Sequence, residues 1–276
     1  MDPLFRKVSY KTSKLITLSY STSFSIGVKC LHASMRDAIY AIYGFVRFAD
    51  EIVDTFHDYN KEKLLNKLVE DYYDALKTGI SLNPVLNSFQ ETVKKYGIED
   101  ELVQSFLKSM KSDLLKTNYT ETEIKEYIYG SADVVGLMCL RVFVSGNDEL
   151  YQKNMPYAMR LGTAFQKINF LRDIGQDTLG LQRVYFPVLN EKQLNEETKK
   201  QILTEITEDF KFASKGIKQL PAKVKWGVYT AYFYYLALTR RITNTKAEQL
   251  KYKRISVPAY QKILLLIKAY FYSKLN

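Results

Sequence analysis

The stretch Gln166-Lys167-Ile168-Asn169-Phe170-Leu171-Arg172-Asp173-Ile174-Gly175-Gln176-Asp177 carries the period of a helix, not of a strand. At 100° per residue, Gln166, Asn169, Asp173 and Asp177 fall within a sector of ~80° that also holds Gly162. Apolar residues flank the sector on both sides, Leu161, Phe165 and Ile168 on one and Phe170 and Ile174 on the other, while Arg160 and Lys167 project roughly opposite. The acids therefore do not occupy the obvious solvent face. Burying ionised carboxylates is costly unless cations or hydrogen-bond donors compensate, and a metal-lined cavity supplies that compensation.

Upstream, Tyr43-Gly44-Phe45-Val46-Arg47-Phe48-Ala49-Asp50-Glu51-Ile52-Val53-Asp54 places Tyr43, Arg47, Asp50 and Asp54 on one helical stripe. Side chains four apart have Cβ atoms roughly 5–6 Å from each other, so the two carboxylates could share or bridge divalent cations. Ligands that offer only oxygen favour Mg²⁺, with Mn²⁺ as the alternative, over zinc. Ile42, Phe45, Val46, Ala49, Ile52, Val53 and Phe56 form a separate apolar face, so an ordinary amphipathic helix with a wet acidic side would look the same.

Helical periodicity continues in nearly every window outward from these segments, and strand-like alternation is brief. The fold class read from the sequence is all-α, a single domain over residues 1–276 with about ten helices. They are expected near 4–29, 34–58, 60–78, 84–96, 99–116, 120–145, 150–179, 191–218, 222–248 and 257–275, with Ser34 as a helix N-cap. Only 12 Gly and 6 Pro interrupt the 276 residues, and no Gly/Ser/Pro-rich linker divides them. No stretch has the ~18 to 20 uncharged apolar residues that span a bilayer, and the N-terminus lacks a secretory h-region, so a cytoplasmic protein is expected. For the run Ile263–Ile267, ringed by Lys262, Lys268 and Lys274, core packing is the favoured role, with peripheral membrane contact as the alternative.

The formal net charge of +10 raises the question of nucleic acid, but the lysines are scattered along helical faces among acids and form no basic arm. No nucleic-acid partner is expected. Cys30 and Cys139 form no CxxC pair, and His32 and His57 are the only histidines, which argues against a zinc site. Two acid stripes, each with an arginine nearby, suit a substrate of concentrated negative charge that reaches the carboxylates through metal, and a diphosphate fits best. Arg47, Arg172 and Arg183 can add charge-assisted hydrogen bonds to the same oxygens, and aromatic helical walls can shield an apolar tail and face a carbocation.

Several strings, in order, resemble the squalene/phytoene synthase family. Ser21-Thr22-Ser23-Phe24-Ser25 resembles its N-terminal Ser-rich diphosphate-contacting segment, and Tyr40-Ala41-Ile42-Tyr43 leads into the first aspartate-rich motif, Arg47-x-x-Asp50-Glu51-x-x-Asp54. Tyr127-Ile128-Tyr129-Gly130-Ser131-Ala132 with Val135-Gly136 is similar to the central tyrosine and glycine segment. The second motif, Gln166-x-x-Asn169-x-x-Arg172-Asp173-x-x-x-Asp177, ends in Arg183-Val184-Tyr185-Phe186-Pro187, and Arg254-Ile255-Ser256-Val257-Pro258 resembles a C-terminal segment whose arginine lies near phosphate.

The resemblance implies the class I isoprenoid (terpenoid) synthase fold, a helical bundle around a central cavity with the aspartate motifs at its mouth. It implies Asp50, Asp54, Asn169, Asp173 and Asp177 as metal ligands. Ser21, Ser23, Phe24, Tyr43, Arg47, Gln166, Asn169, Arg172, Arg183 and Arg254 are implied as substrate contacts, and Tyr129 as the side chain that faces cationic intermediates. Asp133 stands where many relatives have glycine. The implied reaction is head-to-head coupling of two prenyl diphosphates with Mg²⁺. Phytoene from two geranylgeranyl diphosphates, without NADPH, is the expected outcome; squalene or dehydrosqualene from two farnesyl diphosphates is the alternative. A noncatalytic assembly factor of the same family would be expected to have lost aspartates that this chain retains.

Overall fold

The computed structural model describes residues 2–179 and 183–275. Among them are fourteen α-helical segments and no β-strand, apart from one isolated bridge between Asn118 and Val184. In chain order they are α1 (Pro3–Tyr20), α2 (Thr22–Lys29), α3 (Ala33–Asp54), α4 (Lys61–Thr78), α5 (Pro84–Tyr96), α6 (Asp100–Asp113) and α7 (Glu121–Ile128). A π-helical segment, Tyr129–Asp133, joins α7 to α8 (Val134–Phe143). The remaining helices are α9 (Asp148–Leu179), α10 (Val188–Glu191), α11 (Glu196–Ile217), α12 (Ala222–Thr243), α13 (Ala247–Leu250) and α14 (Ala259–Leu275).

Several boundaries differ from the sequence expectation, each for a local reason. The helix expected over 4–29 breaks at Ser21, whose backbone is extended and whose Oγ accepts the Phe24 N–H at 3.2 Å, opening α2 as a new helix. The third helix is capped by His32 rather than Ser34, with Nδ1 facing the Ser34 N–H at 3.4 Å. It ends at Asp54, which makes the second aspartate of the first motif its last residue. Asn195 and Thr198 form a reciprocal capping box that delays α11 to residue 196.

Two apolar clusters form the core. One gathers α3, α5, α6 and α8 around Phe45, which stacks on Phe89 at 4.0 Å and meets Tyr72 and Phe106. The other joins α7, the second half of α9, α11 and α12 around Ile168, Leu171, Ile206 and Leu238. The helix α9 runs through both, packed along α11, and Arg160 and Lys167 leave the acidic stripe to bind Asp209 of α11, each at 2.9 Å. No described helix is long and apolar enough to cross a membrane. The expectation of core packing for Ile263–Ile267 is overturned at Ile263, Leu264 and Ile267, which are at least half exposed.

Candidate active site

Between α2, α3, α8, α9, α11 and α12 lies a cavity of about 350 Å³. The face of α9 that borders it runs through Asn154, Ala158, Leu161, Gly162, Phe165, Gln166 and Asn169, one stripe at helical spacing. Fifteen steps of 1.5 Å from Asn154 to Asn169 make this wall about 22 Å long. Polar groups gather at one end, where Asp50, Tyr43, Gln166 and Asn169 border the space; most of the remaining wall is apolar.

At the polar end the side chains hold one another. Tyr235 donates its hydroxyl to Asn169 Oδ1 at 3.0 Å and stacks on Phe165 at 3.9 Å, while Asn169 Nδ2 lies 3.4 Å from Gln166 Oε1. Gln166 Nε2 in turn reaches Ser131 Oγ at 3.4 Å. Across the cavity Tyr43 stacks on Phe24 at 4.7 Å. Ser21 and Ser23 lie at the start of α2, Ser21 as its cap and Ser23 half-buried in its first turn, where backbone N–H groups and the helix dipole favour anions.

The two aspartate motifs are brought together. Arg183 donates from Nη1 to Asp54 Oδ1 at 3.0 Å, while its backbone N–H donates to the Asp177 carbonyl at 2.8 Å. A single buried residue therefore ties the end of α3 to the end of α9. Asp173 is held by two arginines, Arg172 beside it and Arg254 at 2.7 Å. Lack of a side chain at Gly175 makes the second contact possible, because a Cβ there would collide with the Lys251 carbonyl and push the Arg254 segment off α9. Arg47 pairs with Glu51 one turn on, with its guanidinium 4.3 Å from the Tyr20 ring centre.

Electrostatics separates the acids into two kinds. Burial, with the like charge of Asp54 adding to it, pushes Asp50 up to about 7. Burial, with Asp173 alongside, pushes Asp177 up to about 7 as well. Asp173 is also buried, but Arg172 and Arg254 outweigh that and hold it below its ordinary value. Carboxyls that are desolvated and repelled by their neighbours are the groups a divalent cation would relieve. Among the described residues no three His, Cys, Asp or Glu side chains converge as a ready-made cage.

Tyr129 does not join the cavity. It is more than one-third exposed and lies in the π-helical segment near Tyr151, while Ser131 and Ala132 border the cavity in its place. Asp133, at the end of the same segment, is buried and accepts the Thr163 hydroxyl at 2.9 Å.

Two partners of the site escaped the sequence reading. Tyr235, which orients Asn169, lies in a tyrosine-rich helix whose sequence does not say which ring faces inward. Asp113 is buried behind the motifs and accepts hydroxyls from Tyr127 at 2.6 Å, Tyr119 at 3.1 Å and Tyr185 at 3.4 Å. Its backbone carbonyl accepts from Arg183 Nη2 at 2.9 Å. Burial pushes its carboxyl up to about 6 against the opposing pull of Arg183 and Tyr127.

Comparison with known proteins agrees with this geometry. A family model for squalene/phytoene synthase matches residues 18–261. The phytoene synthase of Arthrospira platensis is 27% identical over 292 residues, covering 96% of this chain and 93% of that protein. The 4,4'-diapophytoene synthase of Staphylococcus haemolyticus is 27% identical over 191 residues, covering 68% of this chain and 64% of that protein. A crystal structure of a dehydrosqualene synthase in complex with ligand superposes with a TM-score of 0.84 at 21% identity, covering 98% of both chains. With its all-α fold and its facing aspartate motifs, the chain belongs to the squalene/phytoene synthase family of prenyltransferases.

Proposed function

We propose that the protein condenses two geranylgeranyl diphosphates head to head to phytoene, in carotenoid biosynthesis. The observation that carries this reading is the long apolar wall of α9, about 22 Å from Asn169 to Asn154, joined to a polar mouth where both aspartate motifs meet. A fully extended four-isoprene chain can lie along such a wall with its diphosphate at the mouth. The 27% identity to a phytoene synthase along nearly the whole chain supports the same choice.

In this reading Asp50, Asp54, Asn169, Asp173 and Asp177 hold Mg²⁺, which when bound supplies positive charge for the departing diphosphate. Arg47, Arg172, Arg183 and Arg254, with the N-terminus of α2 at Ser21 and Ser23, receive the diphosphate oxygens. The C1–O bond of one substrate breaks and its electron pair leaves with diphosphate. The allylic cation is attacked by the C2–C3 double bond of the second substrate, and loss of a proton closes a cyclopropylcarbinyl diphosphate. A second C–O cleavage releases the other diphosphate, and rearrangement with loss of another proton gives the linear hydrocarbon. No hydride enters, so NADPH is not required. Tyr43, Phe24, Phe165 and Tyr235 present ring faces that stabilise cations near the mouth and exclude water.

The test is incubation of purified protein with farnesyl or geranylgeranyl diphosphate and Mg²⁺, with and without NADPH, with identification of the hydrocarbons formed. Phytoene from the C20 substrate without NADPH is expected. Squalene that appears only with NADPH, or dehydrosqualene in clear preference, would overturn the assignment of product.

A further inference from the structure

The helix α14 is apolar on two opposite faces, and the fold covers one of them. On the inner face Ala269 is fully buried, Trp226 Nε1 donates to the Leu266 carbonyl at 3.3 Å, and Tyr272 meets Tyr229 and Phe233 edge-on. On the outer face Ile263, Leu264, Ile267, Phe271 and Leu275 are 50–82% exposed. At 100° per residue these five occupy an arc of ~120° centred opposite Ala269. An isolated exposed leucine means little, but a continuous apolar stripe along a helix is unusual on a soluble surface.

Charge is arranged around that stripe with one sign. Lys268 and Lys274 stand near its two edges, each beside a ring of the same region: Lys268 is 4.6 Å from the Phe233 ring centre and Lys274 5.7 Å from that of Tyr270. No acidic residue lies between Glu248 and Asn276, while Lys251, Lys253, Arg254, Lys262, Lys268 and Lys274 do. A second copy of this face would bring lysine against lysine with no carboxylate to pair them, which disfavours a symmetric dimer through it. An apolar helix face with cationic edges is suited to an interface of hydrocarbon and negative headgroups. At 17 residues with polar and charged interruptions, α14 is suited to lie in that interface, not to cross it.

We propose that the outer face of α14 docks the protein on the surface of an anionic lipid bilayer. Ile263, Leu264, Ile267, Phe271 and Leu275 enter the headgroup boundary, and Lys268 and Lys274 meet the lipid phosphates. The inference is independent of the prenyl substrate, because it uses only the surface of α14.

Flotation of the full chain with phosphatidylcholine vesicles that contain phosphatidylglycerol tests it, in the absence of any prenyl diphosphate. The wild-type protein is expected to float, with binding at least ~10-fold weaker on pure phosphatidylcholine and in I267E/F271E, and weakened by salt. Trp226, the only tryptophan in the chain, provides a fluorescence change on docking because it touches α14. K268E/K274E, which leaves the apolar stripe intact, should lose the preference for anionic vesicles. Turnover in detergent solution should be unchanged in both variants, which shows that they are folded and separates docking from catalysis. A wild-type protein that stays unbound, equal flotation of I267E/F271E, or a wild-type dimer that this double substitution dissolves would overturn the proposal.

Discussion

Arg183 and Asp54 stand 129 residues apart in the chain and 3.0 Å apart in space. Their pairing holds the last residue of α3 against the segment just beyond α9, and so fixes the distance between the two aspartate motifs. Asp54 is 44% exposed, so solvent screens the pair; the cost of removing the buried arginine comes mainly from the Asp113 carbonyl left without its donor and from the space vacated. R183A should lower kcat/KM by roughly 100-fold or more and destabilise the fold by on the order of 3 kcal/mol. Steady-state kinetics and thermal melts check this; a stable variant with near-wild-type turnover would remove Arg183 from the site.

Asp113 supports that arginine from behind, through its carbonyl, and gathers three tyrosine hydroxyls on its carboxyl. In D113N one acceptor oxygen becomes an amide donor facing hydroxyls, and a buried hydrogen bond is lost or reversed. A loss of about 2 kcal/mol in stability is expected, with a smaller fall in kcat than in R183A. Urea unfolding beside kinetics distinguishes the two variants. Equal catalytic damage in both would mean that Asp113 acts at the reacting centre and not as a support.

D50N and D173N should each reduce turnover by about 100-fold or more. They should differ in stability. Asp50 is desolvated and repelled by Asp54, so the neutral amide is expected to leave the melting temperature unchanged or higher. Asp173 is paired to Arg172 and Arg254, so its neutralisation should lower it. Melting curves in chelator, paired with Mg²⁺ titrations of activity, provide the measurement; identical shifts would contradict the two environments.

Asp133 provides a pH signature away from the aspartate motifs. Burial raises its carboxyl to about 7, so the folded chain holds a proton that the unfolded chain releases from roughly pH 4 upward. Stability should therefore fall as pH rises from about 4 to 7, and the cost is fully present above that window. D133N removes the titration, so its stability relative to wild type should grow across the same window by up to about 4 kcal/mol. A stability difference independent of pH would show that Asp133 does not titrate as described.

The second motif was legible in sequence because a 3.6-residue period puts Gln166, Asn169, Asp173 and Asp177 on one face between apolar flanks, and α9 is a regular helix there. Tyr129 rested on the resemblance and not on any period, and the π-helical turn that holds it left no mark in the sequence. Asp113 left no pattern at all: its partners at Tyr119, Tyr127 and Tyr185 converge only through tertiary packing. At α14 the apolar content was plain, but periodicity cannot say how many faces of a helix the rest of the chain will cover.

Asn169 and Asn154 belong to one helix, α9, with Pro156 near the Asn154 end, so in the proposed reaction the grip on the charged head and the wall beside the tail lie along a single element. In the proposed reaction, changing side chains near Asn154, Tyr157 or Ala158 would alter where a tail must stop, about four helical turns from Asn169 at the mouth. Tail length and ionisation can thus drift separately in evolution by substitution. A one-residue insertion between them would rotate one set of side chains by about 100° against the other and cost both at once.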